Sequence, residues 1–268
     1  MTSTRYLYVR NVLGGLTVLG TFLFPPVVNA HDDPTLHVGY AYSSCYIDLH
    51  PELTADQFHV FAREFADAGA FVQMSGARSL APGQVGIGIS YVQTFVDDAT
   101  PQWNNTFSHP GADHWLGQPA FPTLQARVGL PRSFQVEAMF TGDPNSNWGL
   151  LGAGVRAPVL SEANGLPVSA ALRVTYVHLL GASELDLDAG TVEGIVSRTF
   201  GRFTPYVGIA GVVSRAVEQT PELSLGSETA LGARATGGLE VAVWRFRFAG
   251  QAMWAAVPSV ALSIGGVI

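Results

Sequence analysis

The sequence has one cysteine, no lysine and no long apolar run beyond its first thirty residues. A single cysteine excludes an internal disulfide, and Cys45 is interpreted as a structural or incidental residue. With a net charge of -7 and no basic cluster, the chain is not expected to bind nucleic acid. A membrane-spanning helix needs about 20 apolar residues. If the exported chain meets a membrane, it must therefore cross it as strands.

Residues 1–30 have the pattern of a signal peptide. Arg5 and Arg10 form a basic start, an uncharged apolar core follows over residues 12–24, and small residues Val28 and Ala30 precede the predicted cleavage point. The alternative is an uncleaved anchor helix, but a core of about thirteen residues is short for a membrane span. We predict cleavage after Ala30.

Residues 31–83 differ from the rest of the chain because they contain one amphipathic helix. Thr54 and Gln57 have the spacing of a capping box, and Gly69 is a stop signal. Apolar side chains then recur at helical spacing: Phe58, Phe61, Ala62, Phe65 and Ala68. Two placements are open, namely a helix packed on the end of a β domain and a plug inside or beneath a barrel. We expect a helix on the periplasmic side.

Residues 84–268 read as about ten strands, with boundaries uncertain by about 2–4 residues. The expected strands are 84–96, 121–130, 133–142, 147–157, 167–179, 188–200, 202–215, 228–240, 242–255 and 258–268. Short and long connections tend to alternate, as in outer-membrane barrels. The links 158–166 and 256–257 break this rule, so the predicted range is 10–12 strands. The predicted fold is all-β: an antiparallel, up-and-down transmembrane barrel preceded by an amphipathic helix.

Charges fall on one face of these strands, opposite the bulky apolar side chains. Side chains alternate between the two faces of a strand, and a charge facing lipid at the bilayer centre costs about 2–4 kcal/mol. In a barrel these residues line the lumen, whereas in a soluble sandwich they would face water. The lumen-lining candidates are Arg127, Glu137, Arg156, Arg173, Arg234, Glu240, Arg245 and Arg247.

Three stretches deserve separate interpretation. Residues 243–251 alternate most clearly, which places Trp244 and Phe246 in lipid and Arg245 and Arg247 in the lumen. The segment 188–200 places Glu193 on the same face as an isoleucine, so its face is not assigned. The segment 202–215 can be read in either register.

Residues 70–268 resemble bacterial outer-membrane β-barrels of the broad porin and transporter-like class. The stretch 73–84 is similar to the start of the barrel in small transporters of this kind, and the last strand, residues 259–268, looks like a C-terminal insertion signal. It departs from the family by ending on Ile268 rather than on an aromatic residue. The resemblance implies location in the outer membrane, with lipid and the barrel-assembly machinery as partners.

No residue set is arranged for catalysis, and we expect no enzyme activity, cofactor or metal. His178 sits at the loop end of a strand and is read as a surface residue. His109, Asp113 and His114 could hold a metal, and Glu184, Asp186 and Asp188 could attract calcium. Ordinary loop polarity is the favoured interpretation of both sets.

Two functions remain open. The first is a narrow channel or transporter for small polar or anionic solutes, since a barrel of about ten strands has an interior largely filled by side chains. The second is a structural or surface-interaction barrel with a closed lumen. A continuous water path through the lumen would favour the first, and a lumen fully crossed by Arg–Glu pairs, with ordered loops above it, would favour the second.

Overall fold

Ten antiparallel strands close into a barrel in the computed structural model, which describes residues 46–96, 100–108, 120–142 and 146–268. Each strand pairs with its neighbours in sequence, and the first pairs with the last. The strands are β1 (Val85–Thr94), β2 (Ala120–Gly129), β3 (Gln135–Gly142), β4 (Gly149–Leu160), β5 (Ser169–Leu180), β6 (Leu185–Ser197), β7 (Phe203–Glu218), β8 (Ser227–Val243), β9 (Phe246–Trp254) and β10 (Ser259–Val267). The predicted up-and-down barrel is confirmed.

Two helices accompany the strands within the described residues. Helix α1 (Ala55–Ala68) begins at Thr54, whose side chain and that of Gln57 form the predicted capping box. Helix α2 (Pro101–Asn104) lies between β1 and β2. Short 3-10 turns follow β2 and β4, at Pro131–Ser133 and Glu162–Asn164. No helix in the described part of the chain is long and apolar enough to cross a membrane.

The two ends of the barrel differ in the links that they carry. The end that we call the long-loop rim carries the links 95–119, 143–148, 181–184, 219–226 and 255–258. The opposite end, the short-turn rim, carries the links 130–134, 161–168, 198–202 and 244–245, together with the carboxyl end of β10. Outer-membrane barrels place short turns toward the periplasm and long loops outside the cell.

Side chains alternate between an apolar exterior and a buried interior. Ile209 and Leu231 point outward and are 74% and 78% exposed, whereas Arg173 points inward and is 2% exposed. Exposed aromatic residues gather at the short-turn rim: Phe134, Phe200, Phe203, Trp244 and Phe246. An apolar belt with aromatic residues at its border is the surface that a transmembrane barrel presents to lipid.

One predicted strand is wrong at its start. The alternation over residues 243–251 spans a strand end, a turn and a new strand, since β8 ends at Val243 and β9 begins at Phe246. Trp244 has a left-handed backbone (φ 56°) in the turn and is exposed. Arg245 is exposed in the same turn, with its guanidinium 5.4 Å from the centre of the Trp244 ring. Arg245 therefore does not line the lumen.

The segment before the barrel, residues 46–84, runs through the lumen from the long-loop rim to the short-turn rim. We call it the plug segment. Helix α1 lies in the part of the plug segment nearer the long-loop rim, and it packs against the inner side of β7 and β8. This corrects the expectation of a periplasmic helix, and of the two placements left open the plug is the one observed. The signal peptide, Cys45, His109, Asp113 and His114 lie outside the described residues.

Candidate functional site: the lumen and the segment that fills it

Aromatic rings fill the lumen at the long-loop rim. Helix α1 contributes the buried rings of Phe58, Phe61 and Phe65. The Phe61 ring lies 5.3 Å from that of Trp103 in the β1–β2 link, and the Phe65 ring lies 5.4 Å from that of Trp148 next to β4. Burial of several aromatic side chains is a large source of stability. The helix is therefore a packed part of the barrel and not an appendage.

Hydrogen bonds fasten the start of the plug segment to the loops. The backbone N–H of Ile47 donates to Asn147 Oδ1 at 2.9 Å, and that of Leu49 donates to Glu184 Oε2 at 2.7 Å. Trp103 Nε1 donates to Glu64 Oε2 on α1 at 2.7 Å. Glu184, one of the candidate calcium ligands, is thus used to hold the segment.

Below the helix, the extended part of the plug segment is buried from Ala70 to Ala77. Its carbonyl groups accept hydrogen bonds from the wall: Phe71 O from Arg173 at 3.0 Å, and Gly76 O from Arg156 at 2.7 Å. Its N–H groups donate to the wall as well, including that of Gly76 to Glu240 Oε2 at 3.0 Å. A buried backbone N–H or C=O group without a hydrogen-bond partner costs free energy. The side chains of the wall therefore provide the hydrogen bonds that a neighbouring strand would provide in a sheet.

Further contacts surround the segment on all sides. Gln125 on β2 donates to the carbonyl oxygen of Val72 at 3.2 Å, and Ser197 on β6 accepts from the N–H of Ala77 at 2.9 Å. Ser75 Oγ accepts from Arg127 at 2.7 Å and from Arg156 at 3.2 Å. A chain that bonds to β2, β4, β5, β6 and β8 must pass through the middle of the barrel.

A buried cluster of charges crosses the lumen beside the segment. Glu137 is central, because its carboxylate lies 3.2 Å from Arg156 and 2.7 Å from Arg173. Arg173 also reaches Glu193 at 3.4 Å, and its guanidinium lies 4.6 Å from the centre of the Phe71 ring. These side chains are 3% exposed or less. Buried charges require such partners, since burial without them costs several kcal/mol.

Of the eight predicted lumen residues, seven lie on the inner face of the wall, but they do not form a single group. Glu137, Arg156 and Arg173 belong to the buried cluster described above, and Arg127 is buried beside it with its hydrogen bond to Ser75. Glu240 and Arg247 pair at 3.2 Å nearer the short-turn rim, where Arg247 is partly exposed. Arg234 is buried on β8, and its Nε and Nη1 atoms have no hydrogen-bond partner within the described ranges. Arg245 is the exception, as described above.

The sequence did not assign Glu193, which faces the lumen and completes the cluster. The sequence leaves Glu193 unassigned because it shares a strand face with Ile195. Both side chains are buried, so that shared face is the one that points into the lumen. A signal was available, because Arg173 and Glu193 stand directly opposite each other on β5 and β6. Opposite charges at such a position attract across the strands. Gln125 and Gln135 are also buried in the lumen, and the strand alternation places them on the same face as Arg127 and Glu137, but the predicted lumen-lining candidates include only charged residues.

The outer surface of the barrel carries an apolar hollow. It has a volume of about 580 Å³ and lies beside Gly250, with Leu239, Phe248 and Leu262 among its lining residues. Leu239, Phe248 and Leu262 are exposed and belong to the lipid-facing belt. A closed antiparallel barrel with this exterior and a charged, filled interior is a transmembrane β-barrel of the bacterial outer-membrane type.

Comparison with known proteins adds little beyond the fold. No protein-family model matches the chain, and no curated protein sequence matches it. Among solved structures, the chain is similar to an outer-membrane channel from Pseudomonas putida F1, with 9% identity over 74% of this chain and 100% of that chain and a TM-score of 0.46. The attachment invasion locus protein Ail of Yersinia pestis gives 13% identity over 70% and 99%, with a TM-score of 0.31. Neisserial surface protein A gives 13% over 69% and 95%, with a TM-score of 0.32. At these identities and TM-scores, none of them bears on what this chain does.

Proposed function

We propose that this protein is an outer-membrane barrel whose lumen is closed in the resting state by its own plug segment, and that it acts through its long-loop rim. The observation that carries the proposal is the path of residues 70–77. They are buried along the lumen and bonded to the wall on opposite sides. A solute would have to displace a backbone that the wall holds by several hydrogen bonds.

The long-loop rim supports the second half of the proposal. There the start of the plug segment, helix α1 and the links after β1 and β3 pack around one aromatic cluster. Such packing holds the described residues of the rim, among them Trp103 and Trp148, in one arrangement, and an interaction surface needs residues held in this way. Catalysis forms no part of the proposal, because the lumen carboxylates of Glu137 and Glu193 are engaged by arginine.

A gated channel is the second candidate, and the polar contacts of the lower segment favour it. Residues 71–77 are held mainly by hydrogen bonds to arginine, glutamine, serine and glutamate side chains. If the segment moved out, those arginines would line the vacated space and attract anions. The closed barrel and the gated channel therefore differ in whether residues 71–77 ever move out of the lumen.

A disulfide lock distinguishes the two candidates. An ideal Cβ on Gly76 lies 3.0 Å from the Cβ of Ser197. That is roughly 0.5 Å shorter than the lower end of the usual Cβ–Cβ range for disulfides, so a small backbone movement is needed to form the bond. The variant Gly76→Cys/Ser197→Cys, in a Cys45→Ser background, is inserted into planar bilayers beside the Cys45→Ser protein. Heat-modifiable migration on gels checks that both barrels are folded.

We expect neither protein to conduct, whether oxidised or reduced. Steady conductance of the folded Cys45→Ser protein that persists in the oxidised lock would overturn the closed barrel. Conductance that disappears on oxidation of the lock and returns on reduction would establish the gated channel instead.

The orientation of the barrel is tested by labelling single cysteines on intact cells. Glu52 is exposed near the start of the plug segment, and Arg132 is exposed in a turn at the opposite rim. In a Cys45→Ser background, we expect a membrane-impermeant maleimide to label Glu52→Cys on intact cells and Arg132→Cys only after lysis. The reverse pattern would mean that the long-loop rim faces the periplasm and would refute the proposal.

A further inference from the structure

A histidine and two aspartates converge on the outside of the barrel at the long-loop end of β5 and β6. His178 is near the end of β5, and Asp188 stands opposite it on β6. Asp186 lies two residues from Asp188 and so shares its face. Inward neighbours on both strands, Val177 and Leu187, are buried, so the three polar side chains point away from the lumen.

The donor atoms of these three residues have the spacing of metal ligands. His178 Nδ1 lies 2.9 Å from Asp188 Oδ1 and 3.7 Å from Asp186 Oδ1, and all three atoms lie within 4.8 Å of one another. Zinc binds imidazole nitrogen and carboxylate oxygen at about 2.0–2.2 Å in a tetrahedral arrangement, which puts neighbouring ligand atoms about 3.4 Å apart. The observed distances lie on both sides of that value, so small side-chain movements suffice.

Two further features distinguish this group from an ordinary ion pair. Asp186 Oδ1 is shielded from solvent and has no hydrogen-bond partner in the described part of the chain, although it faces the imidazole. The Tyr176 hydroxyl donates to Asp188 Oδ1 and so holds that carboxylate in place. Hydrogen bonds that orient a ligand in this way are typical of metal sites.

We infer that His178, Asp186 and Asp188 form a binding site for a divalent transition-metal ion of the zinc type. The imidazole selects against calcium and magnesium, which prefer oxygen ligands alone. Three protein ligands leave a fourth position open toward the outside. A bound ion links β5 to β6 on the outer wall and takes no part in any path through the lumen, so this inference does not depend on the proposed function.

The chain offers a matched control for the test. His59 Nδ1 lies 3.0 Å from Glu228 Oε2, in another exposed histidine–carboxylate pair on the long-loop side. That pair has one carboxylate where the proposed site has two, and His59 does not belong to the cluster. Loss of His59 should therefore leave the proposed site intact, while the number of histidines falls by one as in the His178 variant.

Calorimetric titration of the chelator-treated, folded barrel with zinc chloride measures the number of bound ions. We expect His178→Ala to lose one equivalent relative to wild type, Asp186→Asn to bind that equivalent at least about tenfold more weakly, and His59→Ala to retain it. Zinc should also raise the thermal unfolding midpoint of wild type and His59→Ala, but not of His178→Ala.

Two results would overturn the site. The first is an equal number of zinc ions in wild type and His178→Ala, both verified as folded by heat-modifiable migration. The second is displacement of that zinc by calcium at equal concentration, which would indicate a carboxylate-only site. If His178→Ala fails to fold, Asp186→Asn decides, since unchanged affinity there contradicts a three-ligand site.

Discussion

Neutralising Glu137 tests whether the charge cluster holds the lumen together. The carboxylate pairs with Arg156 and Arg173 at 3.2 and 2.7 Å, and it accepts a further hydrogen bond from Gln135 at 2.7 Å. In Glu137→Gln the side chain keeps its size, but two buried guanidinium groups lose their shared counter-charge. Breaking a buried ion pair by removing one partner costs about 3–5 kcal/mol, and we expect a loss of that order in the free energy of unfolding.

The control is an exposed pair of the same chain. His59 and Glu228 have side chains that are 46% and 28% exposed, and exposed pairs contribute about 0–1 kcal/mol. Glu228→Gln should therefore unfold within about 1 kcal/mol of wild type. The double variant Glu137→Gln/Arg173→Met should be less destabilised than the sum of its single variants by about 1–3 kcal/mol, because each single variant already loses the direct Glu137–Arg173 interaction, which the double variant loses only once.

The measurement is reversible urea unfolding in lipid vesicles, followed by tryptophan fluorescence and by gel migration. Loss of stability in Glu137→Gln no larger than in Glu228→Gln would refute the reasoning. Strict additivity in the double variant would also contradict it, because the two charges would then not depend on each other.

Three other predictions concern packing, lipid and pH. A Cβ at Gly129 would clash with the carbonyl oxygen of Ala81, so Gly129→Ala should lower the free energy of unfolding by about 1–3 kcal/mol. A Cβ at Gly194 meets nothing within 4 Å, so Gly194→Ala should unfold like wild type. Equal unfolding midpoints of the two variants in urea would contradict this. Ile209 lies on the lipid face, so Ile209→Arg should lower the free energy of unfolding in vesicles by about 2–4 kcal/mol. Glu222→Arg, in an exposed loop, should change it little. Equal stabilities of the two variants would argue against lipid contact at Ile209. Burial acts to raise the pKa of Glu162, but hydrogen bonds from Thr199 and Ser169 outweigh it and hold that pKa below the ordinary 4.5. The contribution of the Glu162 carboxylate to folding stability is thus present above pH 4.5 and lost as the pH falls below that value. The difference in unfolding free energy between wild type and Glu162→Gln should therefore close on acidification. A difference that stays constant with pH would refute the assignment.

The wall of the barrel was predictable because lipid imposes a strict rule on sequence. A charge facing lipid is costly, so the positions of Arg127, Glu137, Arg156 and Arg173 fix which face of β2–β5 points inward. The same rule failed at Arg245, because a two-residue turn can continue an alternating pattern without being part of a strand. Only the pairing of Val243 with Phe246 reveals that the chain reverses there.

The position of helix α1 could not be obtained from its own residues. Its aromatic face predicts that it packs against something apolar, but the interior of a barrel and the end of a β domain both offer such a surface. The partners of Phe61 and Phe65 are Trp103 and Trp148, which are far away in sequence and come close only when the barrel closes. Non-local packing of this kind has no periodicity to detect.

The weak alternation of β6 nevertheless carried the missing information. In a water-filled barrel the inward positions are polar, so a strand whose two faces are both apolar is anomalous. Leu185, Leu187 and Ile195 face inward on β6, and Val192 and Val196 face lipid. The inward leucines belong to the same buried core as the aromatic face of α1. Apolar residues on both faces of a barrel strand, in a chain that also carries an unplaced amphipathic helix, therefore indicate that the helix fills the lumen.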